Sequence, residues 1–202
     1  MGRLTGSPTV MTVGVLAVVF LCQKLFSLVG LGGLFALSLP LVARPWTIVT
    51  SVYAHDSLAH LLVNTLGLAL GGLLVERVTT SARFYGFFLA VGAVAGVMQV
   101  TVLGLFGARV SVLGASGAIL GLYGYLLGSN RLTEALVAGV ELSARVQVVL
   151  WTGVAAVITL LTANPEAALV AHFTGLVLGL FAGRVHLLAP RGGRHANRPT
   201  AE

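Results

Sequence analysis

The sequence is poor in charge, in cysteine and in aspartate. Only 9% of its 202 residues are charged while 57% are hydrophobic, and its mean hydropathy is +0.99. Soluble domains carry about 25% charged residues, so this shortage excludes an ordinary soluble domain and indicates a membrane protein. The net charge of +6 does not indicate a nucleic-acid partner, because the basic residues are scattered between apolar segments.

The rare residue types also exclude several kinds of site. Cys22 is the only cysteine, which rules out an internal disulfide and a multi-cysteine metal centre. Asp56 is the only aspartate, so two aspartates cannot form a catalytic pair within the membrane. The His-Glu-x-x-His motif of metalloproteases is absent as well. We expect neither a cofactor nor a metal.

Long apolar segments fill most of the chain and predict six transmembrane helices. Each approaches the ~20 apolar residues that a helix needs to cross the hydrocarbon core, and they lie at roughly 8–28, 57–76, 83–105, 114–130, 145–163 and 166–187. The first is interrupted by Gln23 and Lys24, and without a convincing cleavage site we interpret it as a retained span. The predicted fold is an all-α, six-helix membrane domain over residues 1–187, followed by a polar, disordered tail at 188–202.

The basic residues predict the orientation in the membrane. With six spans both termini lie on one side, and that side holds nine arginines against two on the other. Because cytoplasmic loops are enriched in lysine and arginine, we expect a multi-pass protein of the cell membrane with cytoplasmic N- and C-termini. The nine are Arg3, Arg77, Arg83, Arg131, Arg145, Arg184, Arg191, Arg194 and Arg198, and the two are Arg44 and Arg109.

The first outer loop, from about residue 31 to about residue 56, is long and amphipathic. It contains Pro40 and Pro45 together with Trp46 and Tyr53. Tryptophan and tyrosine are the residue types that collect at membrane–water interfaces. We therefore expect this loop to lie partly within the surface of the bilayer.

Glycines recur at every third or fourth residue of the fourth predicted span. On a helix this spacing makes one stripe of bare backbone, which admits a close neighbour within a bilayer. Ser116 points roughly 120° away from the centre of the stripe. We expect the serine and the glycines to face different neighbours and this helix to be central in the bundle. The stripe consists of Gly114, Gly117, Gly121, Gly124 and Gly128.

Few polar side chains interrupt the other spans, and ionisable groups within a membrane are functional candidates by default. His60 and Asn64 lie four residues apart and share one face of the second span, which Gly67 and Gly71 continue. His172 lies in the sixth span on a face of small residues. We expect both histidines to point into the bundle. The residues that continue the face of His172 are Gly175, Gly179 and Gly183.

Depth relates these side chains to Ser116. Spans two, four and six run in the same direction under the predicted orientation. His60, Ser116 and His172 lie about three, two and six residues into them, which at ~1.5 Å per residue puts all three in the outer third of the bilayer. A serine, two histidines and an asparagine at one level favour a catalytic site over scattered packing residues.

Such a set supports acyl transfer. A serine hydroxyl needs a base, and neutral imidazole suits that role near pH 7, so we interpret Ser116 as a nucleophile and His172 as its base. The amide of Asn64, the imidazole N–H of His60 and the backbone N–H of Ser116 would stabilise the oxyanion. The nearest carboxylate in sequence, Glu166, belongs to the predicted helix start, so we expect a Ser–His dyad rather than a triad.

Two other interpretations of the polar residues stay open. His55, His60 and His172 are a conceivable zinc site. A small transporter or channel is the other, although the spans carry no acidic relay and no evident inverted repeat.

These residues and their order resemble the rhomboid family of intramembrane serine proteases. The resemblance covers nearly the whole chain. It implies that Ser116 is the nucleophile and His172 its base, while His60 and Asn64 support the oxyanion. The matching pieces are His55 and His60-x-x-x-Asn64 in span two, Gly114-Ala115-Ser116-Gly117 opening span four, and His172-x-x-Gly175-x-x-x-Gly179 in span six.

The same resemblance implies a substrate class and a setting. Members cleave the transmembrane segments of other proteins near their outer ends, so the expected partners are transmembrane substrates and the lipid bilayer. A membrane-embedded first loop and substrate entry beside span five are also implied. The alternative is a catalytically silent member that binds or escorts membrane clients; such relatives usually lack the serine or the histidine, and this chain keeps both.

Two positions depart from the family pattern. Thr47 follows Trp46 where the family commonly has an arginine, although Arg44 is close in sequence. Leu120 stands four residues after the serine, where some members carry an aromatic residue against the catalytic histidine.

Overall fold

A computed structural model of the protein describes residues 6–129 and 168–189, with the single positions 146, 149 and 153 between them. The fifth predicted span lies outside these residues apart from those three positions. Glu166 and the tail from residue 190 onward lie outside them as well. The described chain is mostly helical, in agreement with the all-α membrane fold expected from composition.

Three helices of the described chain are long and apolar enough to cross a membrane. They are α1 (Pro8–Leu28), α3 (Leu58–Val75), which a 3-10 turn extends to Val78, and α4 (Ser81–Leu105). Their ends agree with the predicted spans to within two residues. A hydroxyl caps each start, since the side chains of Ser7, Ser57 and Thr80 accept from the backbone N–H three residues ahead.

Two further apolar helices are shorter than predicted. Helix α5 covers Ser116–Gly128 and α6 covers Leu169–Arg184, whereas the apolar segments extend over residues 114–130 and 166–187. Gly114 explains part of the difference, because its φ of +124° is incompatible with a helix. The prediction that placed Gly114 on the helical stripe was therefore wrong.

The segment between α1 and α3, predicted to be the first outer loop, is folded onto the helices by local structure. It contains the short helix α2 (Thr47–Tyr53), 3-10 turns at Gly32–Phe35 and Leu41–Ala43, and strand β1 (Leu37–Ser38). Strand β1 pairs antiparallel with β2 (Ser111–Val112), which directly precedes α5. This two-stranded sheet therefore connects the first loop to the segment that leads into Ser116.

Side chains of the first loop attach it to its own beginning. Arg44 Nη1 donates to the carbonyl of Gly33 at 2.8 Å, and Trp46 Nε1 donates to the carbonyl of Leu34 at 3.1 Å. Thr47 Oγ1 donates to the carbonyl of Arg44 at 2.6 Å. Arg44 and Trp46 thus anchor the loop, although Thr47 stands where the resemblance noted above implies an arginine.

Helices α5 and α6 pack with their backbones in contact. A Cβ at Gly175 or Gly179 would overlap a carbonyl oxygen of α5, and a Cβ at Gly124 would overlap the carbonyl oxygen of Leu176. Glycine is required on both helices at this contact because any side chain would separate them. The predicted inward-facing stripes on the fourth and sixth spans are confirmed here.

Helix α5 is central in the described bundle, as predicted, and packs against α3, α4 and α6. On the α3 side, Gly67 lies against Ile119 and Gly71 against Tyr123, which confirms the inward face that starts at His60 and Asn64. The expectation that Ser116 and the glycines face different neighbours is wrong, because both meet α6. Ser116 begins α5, and the long imidazole side chain of His172 reaches across the close helix contact to it.

Candidate active site

The hydroxyl of Ser116 and the imidazole of His172 meet at the start of α5. Ser116 Oγ lies 2.9 Å from His172 Nε2, and with the proton on Nδ1 of the neutral ring the hydroxyl donates to Nε2. Both residues are partly buried. Ser116 is the first residue of α5 and His172 the fourth of α6, so the contact joins the N-terminal turns of the two helices.

His60 approaches the same place from α3. It is the third residue of that helix, and its backbone N–H donates to the capping hydroxyl of Ser57. Its ring lies against Gly114, where a Cβ would come within 2.8 Å of Cε1 and 2.9 Å of Nε2. The Nε2 edge of His60 therefore faces the loop that ends at the nucleophile candidate. The structure thus brings His60, Ser116 and His172 together.

Gly114 shapes this loop in two ways. Its positive φ turns the chain into α5, and its missing side chain leaves room for His60. Its backbone N–H donates to the carbonyl of Ser51 at 2.8 Å, which ties the loop to α2. Gly117, one residue after the serine, lies so close to α4 that a Cβ would be 2.8 Å from that of Ala95.

Hydrogen-bond donors are available at the start of α5 and on α3. The N-cap residue Ala115 provides no side-chain cap, so the first backbone N–H groups of α5 have no intrahelical partner. Asn64 is buried on α3, and its Nδ2 donates to the carbonyl of His60 at 2.9 Å. The second N–H of that amide remains for another acceptor. The positive end of the α5 dipole adds to the attraction for an anion at this point.

Helix α4 contacts the residue before His172 through a side chain that the sequence pattern did not single out. Gln99 is buried, and its Oε1 accepts from the backbone N–H of Ala171 at 3.0 Å, which satisfies one of the free donors at the start of α6. The sequence did contain a signal for Gln99, because it is a polar residue within an apolar span. His172 Nδ1 is buried and has no partner among the described residues. Leu120 packs with Leu176 and Leu180 of α6.

Gln23 and Lys24, the polar pair that interrupts the first span, bind the backbone of the two residues that lead into α3. Gln23 Oε1 accepts from the backbone N–H of His55 at 3.0 Å, and Lys24 Nζ donates to the carbonyl of Asp56 at 2.7 Å. Asp56 Oδ1 in turn lies 3.0 Å from Nδ1 of His60. Helix α1 therefore fixes the segment that positions His60.

His55 is fully buried and stacks edge-on against His60, with the ring centres 5.0 Å apart. Burial, followed by the positive charge of His60, lowers the pKa of His55 to about 4, and its hydrogen bond with the Tyr53 carbonyl acts against that shift. His55 is therefore neutral at neutral pH. It gives His60 a flat, uncharged neighbour.

A small cavity of about 20 Å³ lies directly beside Ser116. Ser51, Gly114 and Ala171 are among its lining residues, and it has room for about one water molecule. A larger open cavity of about 720 Å³ lies elsewhere, between the first loop and the end of α4, and touches neither Ser116 nor His172. We assign the chemistry to the small cavity because it, unlike the larger one, contains the nucleophile candidate.

The zinc alternative finds no support in the geometry. In the part of the chain that the structure describes, no group of three or more histidine, cysteine, aspartate or glutamate side chains is placed to hold a metal ion. His55 Nδ1 faces the carbonyl of Tyr53 and His60 Nδ1 faces Asp56, so both rings have other partners.

The sequence is similar to several known proteins. The family model described as "Rhomboid domain" matches residues 42–188. The Rhomboid protease GluP of Bacillus subtilis is 32% identical over 156 residues, which cover 76% of this chain and 28% of that protein. RHOMBOID-like protein 5 of Arabidopsis thaliana is 29% identical over 148 residues, or 73% of this chain and 46% of the relative.

A second Arabidopsis thaliana relative, RHOMBOID-like protein 6, mitochondrial, is 28% identical over 148 residues, with the same coverage. The chain thus spans less than half the length of these curated relatives. The similarity covers the region that contains Asn64, Ser116 and His172, since the matched family region runs from residue 42 to residue 188.

Proposed function

The chain belongs to the rhomboid family, and we propose that it is an intramembrane serine protease in which Ser116 is the nucleophile and His172 its general base. The observation that carries this proposal is the 2.9 Å contact between Ser116 Oγ and His172 Nε2. A nucleophile and a base within hydrogen-bond distance are the minimal requirement for acyl transfer by a serine.

The first half of the proposed reaction forms an acyl-enzyme. Ser116 Oγ attacks the carbonyl carbon of the scissile peptide bond while His172 Nε2 takes the hydroxyl proton. The carbonyl electron pair moves to oxygen and gives a tetrahedral oxyanion. When this intermediate collapses, the C–N bond breaks and the imidazolium of His172 gives its proton to the leaving amine. The products are an ester on Ser116 and a free amino terminus.

The second half hydrolyses the ester. His172 takes a proton from a water molecule, whose oxygen attacks the ester carbonyl. The second tetrahedral intermediate collapses with cleavage of the bond to Ser116 Oγ, and His172 returns the proton to that oxygen. The cavity beside Ser116, with its room for about one water, is a suitable source of the attacking molecule.

The oxyanion would form at the N-terminus of α5. The candidate donors are the free backbone N–H groups there, the Nε2 edge of His60 beside Gly114 and the second amide N–H of Asn64, one turn further along α3 from His60. Donors that are already oriented need no reorganisation when the charge develops, and losing one such donor costs about 10²–10³-fold in rate. We assign these donors the stabilising role in the reaction.

The proposed substrates are transmembrane segments of other proteins. Because apolar helices surround the site, the substrate must itself be compatible with a bilayer. Its scissile carbonyl must also be free of helical hydrogen bonds, so we propose cleavage where a transmembrane segment is unwound near its outer end. Entry beside the fifth span belongs to this proposal, although that span lies outside the described residues.

We further propose that residues 1–187 form a six-span domain of the cell membrane with both termini in the cytoplasm. The nine-to-two arginine distribution supports this orientation. A reporter fused after residue 202, active only in the cytoplasm, should be active. A reporter that is active only outside the cytoplasm should be silent at the same position, and the reverse pattern would overturn the orientation.

The test of the proposed activity uses the purified full chain and a fluorescent single-span substrate in liposomes. Wild-type protein should release a fragment cut within the span, and Ser116→Ala should release none. Cleavage that persists in Ser116→Ala would remove the proposed nucleophile. Binding of the substrate without cleavage by the wild type would favour the alternative, a silent family member that holds membrane clients.

A further inference from the structure

Among the described residues, the acidic group that reaches the site is the carboxylate of Asp56. Its Oδ1 lies 3.0 Å from Nδ1 of His60, while its own backbone carbonyl accepts from Lys24 Nζ at 2.7 Å. Asp56 precedes the N-cap of α3, so helix α1 and the helix start together fix its backbone. No step of the proposed reaction uses this side chain.

The hydrogen bond between Asp56 and His60 determines which ring nitrogen of His60 carries a proton. An ionised carboxylate only accepts, so Nδ1 of His60 must carry a proton toward Asp56. In the neutral ring the other nitrogen, Nε2, then has none. Yet Nε2 is the edge that faces Gly114 and the start of α5. A neutral His60 held in this way would offer the oxyanion a lone pair rather than a donor.

We propose that Asp56 is a positioning residue that orients His60 and favours its doubly protonated form, so that His60 meets the developing oxyanion with a charged Nε2–H. This inference rests on the proposed protease function. The carboxylate of Asp56 lies on one side of the imidazolium, and the oxyanion forms on the other side during the reaction. Both negative charges favour the doubly protonated ring. A charge-assisted donor is roughly twice as strong as a neutral one.

The other groups that face His60 are compatible with its charge. His55 is neutral, and Asp56 is ionised: partial burial raises the pKa of its carboxyl, but the hydrogen bond and charge of His60 together with hydrogen bonds from Ser57 bring it below its ordinary value. Lys24 from α1 and His172 from α6 oppose a positive charge. Lys24, however, is exposed and binds the backbone carbonyl of Asp56, and His172 is neutral whenever it serves as the base.

The proposed effect is modest because the pair is accessible to water. The side chains of His60 and Asp56 are 30% and 68% exposed. Exposed ion pairs interact weakly, so removal of the Asp56 charge should displace the pH profile of the reaction by less than about one pH unit. High salt should reduce this displacement, because it screens exposed charges.

The test compares Asp56→Asn with Asp56→Glu in the full chain in detergent micelles. Asparagine keeps an oxygen that accepts from Nδ1–H and removes only the charge, whereas glutamate restores the charge. The readout is the rate at which a fluorophosphonate inactivates the protein between pH 5 and pH 10, since attack on phosphorus also develops an oxyanion. Glu76→Gln, which removes a carboxylate at the other end of α3, is the control.

Asp56→Asn should move the alkaline limb of the profile down by about 0.5 pH unit and slow inactivation about threefold at pH 8. Asp56→Glu should recover the wild-type limb, and Glu76→Gln should leave it unchanged. A profile for Asp56→Asn that superimposes on the wild type would overturn the proposal.

A second measurement does not depend on catalysis. Nitrogen-15 histidine spectra of the Ser116→Ala protein report the protonation of both ring nitrogens, and His60→Gln assigns the signal. We expect His60 to lose its second proton at lower pH in the Asp56→Asn background. An unchanged midpoint would overturn the proposal. Failure of the wild type to react with any fluorophosphonate would instead count against the protease function alone.

Discussion

The imidazole of His60 lies directly over Gly114, two residues before Ser116. A Cβ at Gly114 would come within 2.8 Å of the ring, and the φ of +124° at this position is one that side chains rarely tolerate. One glycine therefore both turns the chain into α5 and admits the histidine of α3. This contact joins the loop that carries the nucleophile candidate to the helix that carries its proposed oxyanion donors.

The first prediction concerns Gly114→Ala. The added methyl group should displace His60 and lower kcat/KM by about 10²-fold, the usual cost of one lost oxyanion donor. Gly107→Ala is the matched control, because Gly107 also has a positive φ, +80°, but a methyl group added there would meet no atom within 4 Å. Both variants should lose about 1–2 kcal/mol of stability to backbone strain. Equal losses of activity in the two would show that strain, not His60, matters.

The second prediction concerns the contact between α5 and α6. Gly175→Ala should destabilise the protein by about 1–3 kcal/mol or more, because the methyl group would overlap the carbonyl oxygen of Gly117. Thermal unfolding in detergent measures the change. Gly14→Ala on α1 meets nothing within 4 Å and should be neutral or slightly stabilising, since alanine favours helices by about 1 kcal/mol. Similar unfolding temperatures for the two variants would contradict the close-packing account.

The third prediction concerns pH and stability. The pKa of His55 is about 4 in the folded protein against an ordinary value of 6.5, chiefly because the residue is buried. Between these two pH values His55 is protonated in the unfolded chain and neutral in the folded chain. Stability is therefore complete above about pH 6.5 and falls as the pH decreases toward 4, by at most about 3 kcal/mol. Unfolding midpoints from pH 7.5 to pH 4 measure this decline.

His55→Gln provides the comparison for this decline. The variant should show a flatter dependence on pH over the same window, because it lacks the titrating group. Parallel curves for the two proteins would mean that His55 does not carry the effect.

The fourth prediction concerns the end of the bundle opposite the candidate site. Glu76 Oε2 accepts from Ser7 Oγ at 2.7 Å and from the backbone N–H of Thr9 at 3.1 Å, so the end of α3 holds the start of α1. Glu76→Ala should cost about 1–3 kcal/mol, because it removes the partner of two donors in buried residues. Activity per folded molecule should stay unchanged. Glu76→Gln keeps one acceptor oxygen and should lose less; a larger loss than for alanine would contradict the assignment.

Hydrophobic length and helical period were sufficient to predict much of the fold. They located α1, α3 and α4 to within two residues, because each is a long apolar run that begins at a hydroxyl cap. They also predicted the inward faces that start at His60 and His172, since glycines repeat there at helical spacing. The pattern could do this because it depends only on residues close together in the sequence.

Contacts between distant segments could not be predicted in the same way. The period could not reveal that Gly114 leaves the helix, because φ depends on how the loop meets Ser51 and His60. It paired Ser116 with His172 of the sixth span but missed that the glycine stripe faces the same helix, α6. Gln99 was also missed as a support of the site, because its partner, the backbone N–H of Ala171, lies on another helix. Asp56 was missed because the sequence does not give the direction of the His60 side chain that it contacts.

The most direct test of the central claim maps the residue that a fluorophosphonate labels, in wild-type protein and in His172→Ala. Intact mass and peptide mapping should find one adduct, on Ser116, in the wild type. Labelling of His172→Ala should be slower by several orders of magnitude, because nucleophile and base act as a unit. Labelling at any other residue, or at Ser116 with an unchanged rate in His172→Ala, would contradict the account.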